Sequence, residues 1–244
     1  VEFGVTETNF LSWLYEGKQI YASDGPQRQL RLLARIEDPV YILVAVKSGS
    51  SVTDLAQLAS LKRPLRILSE NDPWIQPILQ HYHLTRAEVE AAGGKFSNAM
   101  ALHKDGDFDL LISSLGSLGG NLESNVWYEM SQRFELRYLD VPHDVLVRIV
   151  ATLGGEITWV PVGYLRGVER RIETVGRSGQ AIYGRADMPD DFAYAVAKAM
   201  DEQQSLLKWA IRPFSYDVHT VWKNGPVKLH PGAERYYREV GYLK

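Results

Sequence analysis

Three short polar strings in this chain could do chemistry: Thr6-Glu7-Thr8-Asn9, Ser69-Glu70-Asn71-Asp72-Pro73-Trp74, and Ser113-Ser114-Leu115. Each follows an apolar run that reads as a strand. Their hydroxyls, amides and carboxylates suit hydrogen bonding to a small polar ligand better than bond making. The middle string carries the most weight. Asp72 suits a helix cap and Pro73 the first helical position. A helix that starts after a parallel strand turns its N–H groups to the carboxyl edge of the sheet, where ligands of open α/β sheets bind. Such a start favours anions, yet Glu70 and Asp72 place two carboxylates there. Two readings stay open: an ordinary acidic cap, or a site for a polar or amine-bearing ligand with Trp74 as an apolar wall.

Other constellations are weaker. His81 and His83 are two apart near a helix end, and helix positions i and i+2 face different ways, so a metal pair is not expected. Asp105, Asp107 and Asp109 mimic half a calcium loop, but the twelfth position from Asp105 is Gly116, where a bidentate Glu is needed. The glycines at 116, 119 and 120 follow a strand with the wrong spacing for a dinucleotide cradle. Gly176-Arg-Ser-Gly lies within an expected strand and not at a strand-to-helix turn, so it is no nucleophile elbow. The chain has no cysteine, which excludes disulfides, thiol catalysis and Cys-ligated metals. Its 244 residues carry a net charge of −3, so no basic face for nucleic acid is expected. Arg166, Arg170, Arg171 and Arg177 could form a local anion patch, or simply a solvated surface. No cofactor and no metal site is read, and no paired acid and base suggests an enzyme.

The elements that must position these strings alternate. Strands are expected at Val1–Val5, Val40–Val46, Leu65–Leu68, Phe108–Ile112, Glu135–Leu139 and Thr174–Tyr183. Helices are expected over Phe10–Tyr15, Val52–Leu61, from Pro73 onward, after the Thr85/Glu88 capping box, and at Asn98–Lys104, Val126–Phe134 and Asp144–Ala151. A long one runs from Phe192 to about Ala210, and a last one follows His230-Pro231-Gly232. Ser113–Asn125 reads as a loop. Leu30–Ile36 is ambiguous between strand and helix. Strand–helix alternation means an α/β fold with mainly parallel pairing. The strong strands at 40–46 and 174–183 bracket a segment with its own alternation, as in a two-lobed protein whose chain enters a second lobe and returns. No run of eighteen apolar residues is present.

The tail His230-Pro-Gly-Ala-Glu-Arg-Tyr-Tyr-Arg-Glu resembles the end of the TAXI solute receptors, the binding proteins of one class of TRAP transporter. Val1–Asn9, Gly106–Ile112, Glu173–Gly176 and Ala186–Val196 are similar to other parts of that family. The resemblance implies a type II periplasmic-binding-protein fold: two α/β lobes joined by two hinge strands, lobe 1 from 1–47 with 175–244 and lobe 2 from 48–174. It implies a non-enzymatic, extracytoplasmic receptor that captures a small organic acid or amino acid in an interlobe cleft and passes it to a membrane permease. Carried onto this chain, the ligand-binding candidates are Thr6, Glu7 and Thr8 in lobe 1, and Asn71, Asp72, Trp74, Ser113, Ser114 and Leu115 in lobe 2, with Tyr164 as an addition. Two departures matter. The strand and Gly-rich loop with which the family begins do not precede Val1, so lobe 1 is expected to be incomplete. Ser69-Glu-Asn-Asp-Pro also stands where relatives carry a Gly-Ser-Gly-Thr-like loop, which makes a simple dicarboxylate a poorer ligand. The rival readings are a membrane-tethered sensor or adaptor on the same fold, and an enzyme on it.

Overall fold

In the computed structural model, residues 3–61, 63–99, 107–116, 126–210 and 215–244 are described. The fold is mixed α/β, and the chain forms two compact units, 1–39 with 177–244, and 40–176. Both crossings fall inside long strands, β2 (Leu30–Lys47) and β8 (Ile172–Arg185). Polarity along β2 changes where it crosses. Its first part leaves Arg31, Arg35 and Glu37 half-buried among buried Leu32, Leu33, Ala34, Ile36 and Asp38, whereas Val40–Val46 is buried without a break. A strand covered on both faces needs that continuous aliphatic run. The ambiguity at Leu30–Ile36 thus resolves to strand.

In the first unit, β1 (Phe3–Glu7) pairs antiparallel with β8, Thr6 opposite Ala181. Helix α1 (Thr8–Glu16) follows directly. Gly179 has φ +66°, and a Cβ there would lie 1.9 Å from the Ile36 carbonyl oxygen, so only glycine allows β8 to pass β2 at that point. Helix α7 (Asp190–Glu202) packs on α9 (Pro231–Glu239). Three C-terminal tyrosines tie this region together. Tyr237 is fully buried and donates to the Leu33 carbonyl at 2.9 Å. Tyr236 and Tyr242 both donate to the buried Asp201 carboxylate, at 2.6 and 2.8 Å. His230 is fully buried, and its Nδ1 accepts from the Gly232 N–H at 3.2 Å, capping α9.

In the second unit, the strand order is β2, β5 (Leu110–Leu115), β3 (Arg66–Ser69), β4 (Lys95–Asn98). β3 is parallel to both β4 and β5, while β5 is antiparallel to β2, which makes the sheet mixed. β6 (Leu136–Tyr138) pairs with β2, and β7 (Glu156–Val160) with β8. The helices are α2 (Leu55–Ala59), α3 (Gln76–His81), α4 (Arg86–Ala91), α5 (Val126–Arg133) and α6 (His143–Leu153). The Thr85/Glu88 capping box at α4 is present in both directions: Thr85 N donates to Glu88 at 3.0 Å, and Glu88 N donates to Thr85 Oγ1 at 3.4 Å.

Several expectations are corrected. Ser113, Ser114 and Leu115 end strand β5 and do not open a loop. Asn98 closes β4 and does not open a helix; residues 100–104 of that expected helix, His103 among them, lie outside the described residues, as do Asp105, Gly119 and Gly120. The long C-terminal helix divides at Gln203 into α7 and α8 (Gln204–Ala210). The helix expected from Pro73 begins only at Gln76. Pro77 supplies the reason: it has no N–H to bond the Pro73 carbonyl, so a helical ladder cannot grow from Pro73. Residues 72–75 instead form a turn, with the Ile75 N–H on the Asp72 carbonyl at 3.1 Å. Among the described residues no helix is long and apolar enough to cross a membrane.

Candidate functional site

The carboxyl ends of β3, β4 and β5 come to one edge of the second unit, because β3 runs parallel to both neighbours. The polar strings that leave this edge are those singled out by sequence. Glu70, just beyond β3, reaches across to β5. Its Oε1 accepts from the Ser114 backbone N–H in a short hydrogen bond and from Ser113 Oγ at 3.0 Å. A carboxylate thus already holds the backbone donor that a ligand anion would seek. Trp127 donates from its indole to the Ser113 carbonyl at 3.2 Å and fixes the same strand end.

Asp72 is buried, and its Oδ1 accepts from the Trp74 N–H at 2.8 Å, so it stabilises the turn. Trp74 is 0% exposed and donates to the Gly154 carbonyl at 3.2 Å. Its indole is packed in the core. Leu115 is equally buried in the core cluster with Tyr41 and Trp127. Tyr164 packs edge-on against Tyr41, with centroids 5.9 Å apart, and belongs to the same cluster. Only Asn71 among these candidates is exposed. Asn71 and Glu70 line a pocket of about 410 Å³ with Gln76, Arg86 and Phe96. The Arg86 guanidinium in that pocket is occupied: it bonds the Phe96 carbonyl at 3.1 Å and Glu90 at 3.2 Å, and stands 4.7 Å over the Phe96 ring. Sequence reading passed over Gln76, Arg86 and Phe96. The i,i+4 spacing of Arg86 and Glu90 marks a helix face, but nothing in it indicates a pocket.

In the first unit, Glu7 ends β1 and its Oε2 lies 3.5 Å from Arg177 Nη1, with Arg177 only 6% exposed. This ion pair ties β1 to β8 and takes Arg177 out of the expected arginine patch. Thr8 is buried, and its carbonyl accepts from Ser12 Oγ and Asn224 Nδ2, both at 3.1 Å. Thr6 is half-buried in the strand.

A larger cavity, about 710 Å³, lies among Arg137, Arg166 and Arg170 in the second unit. Its charges are committed. Arg137 donates to the carbonyls of Ser48, Ser50 and Val52, and Arg170 forms a two-pronged pair with Asp140 at 2.8 and 2.9 Å. A third cavity, about 360 Å³, opens by Arg66, Lys95 and Asp107. Asp107 pairs with Arg66, and Asp109 takes two bonds from Arg63, so these two members of the half calcium loop stand in ion pairs. Burial pushes the Asp109 carboxyl up, but the bonds from Arg63 and the Arg66 N–H outweigh it and hold it below the usual carboxylate range. His81 and His83 turn to different partners, Arg148 at 3.3 Å and Glu88 at 3.2 Å.

Distant similarities to solved structures exist. A Xanthomonas citri protein solved with ATP bound aligns with 98% of this chain and 76% of its own, at 13% identity and TM-score 0.42. The glycine betaine and L-proline-binding protein ProX of Borrelia burgdorferi aligns over 84% and 68%, at 12% identity and TM-score 0.37. The L-cystine solute receptor of Neisseria gonorrhoeae, in its unliganded open conformation, aligns over 78% and 64%, at 11% identity and TM-score 0.32. The sequence itself gives a firmer result, since residues 1–241 match one family throughout: the chain belongs to the NMT1-like family.

Proposed function

We propose that this protein is an extracytoplasmic solute-binding receptor of the TAXI class, which captures a small organic acid or amino acid for the membrane permease of a TRAP-type transporter. It is a binder and not an enzyme. One observation carries the reading: polar side chains gather at the carboxyl ends of adjacent strands, beside a pocket sized for a small metabolite. Membership of the NMT1-like family and the resemblance of the tail support it. Recognition works by a population shift: ligand stabilises one arrangement of the two units, with β2 and β8, the strands that pass between them, acting as hinges.

A thermal-shift screen over amino acids and organic acids tests this. A ligand at a hundred times its dissociation constant stabilises the fold by about 2.7 kcal/mol, a readily measured rise in melting temperature. Asn71→Ala, which changes an exposed side chain, is expected to weaken that ligand at least tenfold in calorimetric titration while leaving the unliganded melting temperature in place. A screen in which no solute of either class shifts melting removes the receptor reading.

A further inference from the structure

We propose that Glu70 sets the ligand's charge, making the pocket at the ends of β3 and β4 a site for a primary ammonium group and not for a carboxylate. The proposal rests on the receptor reading above and narrows its ligand. The Ser114 N–H and the Ser113 hydroxyl are the donors at the end of β5, and both go to Glu70 Oε1. A ligand carboxylate arriving here meets a like charge and finds those donors taken. The second Glu70 oxygen makes no hydrogen bond among the described residues. Glu70 lines the pocket together with Asn71 and Gln76.

An ammonium group has three donors and no acceptor. The side chains of Glu70, Asn71 and Gln76 offer a carboxylate and two amide oxygens as acceptors, and the charged one makes the stronger bond. Arg86 does not reverse this preference. Its guanidinium is held by Glu90 and the Phe96 carbonyl, so the local sum of Glu70, Arg86 and Glu90 is one negative charge. The ammonium can come from an amino acid or from a free amine, and the same chemistry anchors both.

Calorimetric titration of the full chain separates these sources and tests the assignment. The probes are the L-amino acids, cadaverine as a free amine, glycine betaine as a cation without an N–H, and succinate as an acid without an ammonium. The best binder is expected among the amino acids or cadaverine, with succinate and betaine at least tenfold weaker. Glu70→Gln keeps an oxygen for Ser113 and Ser114, so the strand end stays tied. It is expected to weaken the ammonium probe at least tenfold, while Glu90→Gln changes it less than twofold. Glu70→Ala frees the Ser114 N–H and is expected to gain affinity for succinate. Wild-type protein that binds succinate as well as any ammonium probe, or a Glu70→Gln chain with unchanged affinity for its amine, overturns the assignment and leaves a receptor standing. If no probe binds wild-type protein or any variant, the receptor reading fails together with it.

Discussion

Asp72-Pro73 and His230-Pro231 are the same device at two places, a capping side chain followed by proline, yet only the second begins a helix. At 230 the cap works as intended: His230 Nδ1 takes the Gly232 N–H, its carbonyl takes the Glu234 N–H at 2.8 Å, and α9 starts at Pro231. At 72 the cap closes a single turn, and Pro77 forbids the bond that would lengthen it. The consequence is functional. The second unit does not aim a helix N-terminus at its strand ends from Pro73. The donors that remain are taken by carboxylates of its own, the Trp74 N–H by Asp72 and the Ser114 N–H by Glu70. Of two near-identical sequence signals, one builds the scaffold and the other leaves an acidic, turn-lined edge beside a pocket.

Substitutions can break or sharpen this contrast. The largest effect is expected at α9, from Gly232→Ala. A Cβ there would lie 2.0 Å from the Asp190 carbonyl oxygen, so α9 must lift from α7 at a cost of about 3 kcal/mol, read in chemical denaturation. Next comes His230→Ala, which removes the cap and empties a buried site, for a loss of about 2 kcal/mol. The same histidine gives a pH signature. Burial holds its imidazole below the usual range, against the pull of Asp190 at 3.7 Å. The unfolded chain therefore takes up a proton near pH 6.5 that the folded one refuses. This stability contribution is complete above that pH and falls away below it, and His230→Asn should flatten the acid limb of a melting-temperature profile.

At the other dipeptide, Asp72→Ala is expected to cost about 1 kcal/mol through the lost acceptor for the Trp74 N–H. The smallest effect belongs to Pro77→Ala. A regained hydrogen bond and a more flexible unfolded chain nearly offset each other, so stability should move by less than about 1 kcal/mol. Hydrogen exchange should nevertheless show the amide of residue 77 protected as α3 grows back toward Pro73. If that amide stays unprotected, Pro77 is not what stops the helix.

Much of the scaffold was legible. The aliphatic run at 40–46, the capping box at Thr85 and the HPG helix start each depend on neighbours within a few residues, where side-chain type alone biases the backbone. The placement of the candidate residues on the strands was legible more than their packing. Asn71, Ser113 and Ser114 do stand at strand ends, but Trp74 and Leu115 proved to be core. A large apolar side chain near a turn serves packing or a pocket according to what covers it, and its cover, such as the Gly154 carbonyl 80 residues away, cannot be seen locally.

Local pattern alone therefore determined much of the alternation of strands and helices, the start of α9 and the nearness of polar strings to strand ends, because propensity and capping act over a turn or two. Folding decided which of those polar groups are already spent. Glu70 meets Ser114 across 44 residues, and Glu7 meets Arg177 only because β1 lies along β8. Hydrogen bonds and ion pairs form by distance in space, and only the packed sheet fixes that distance.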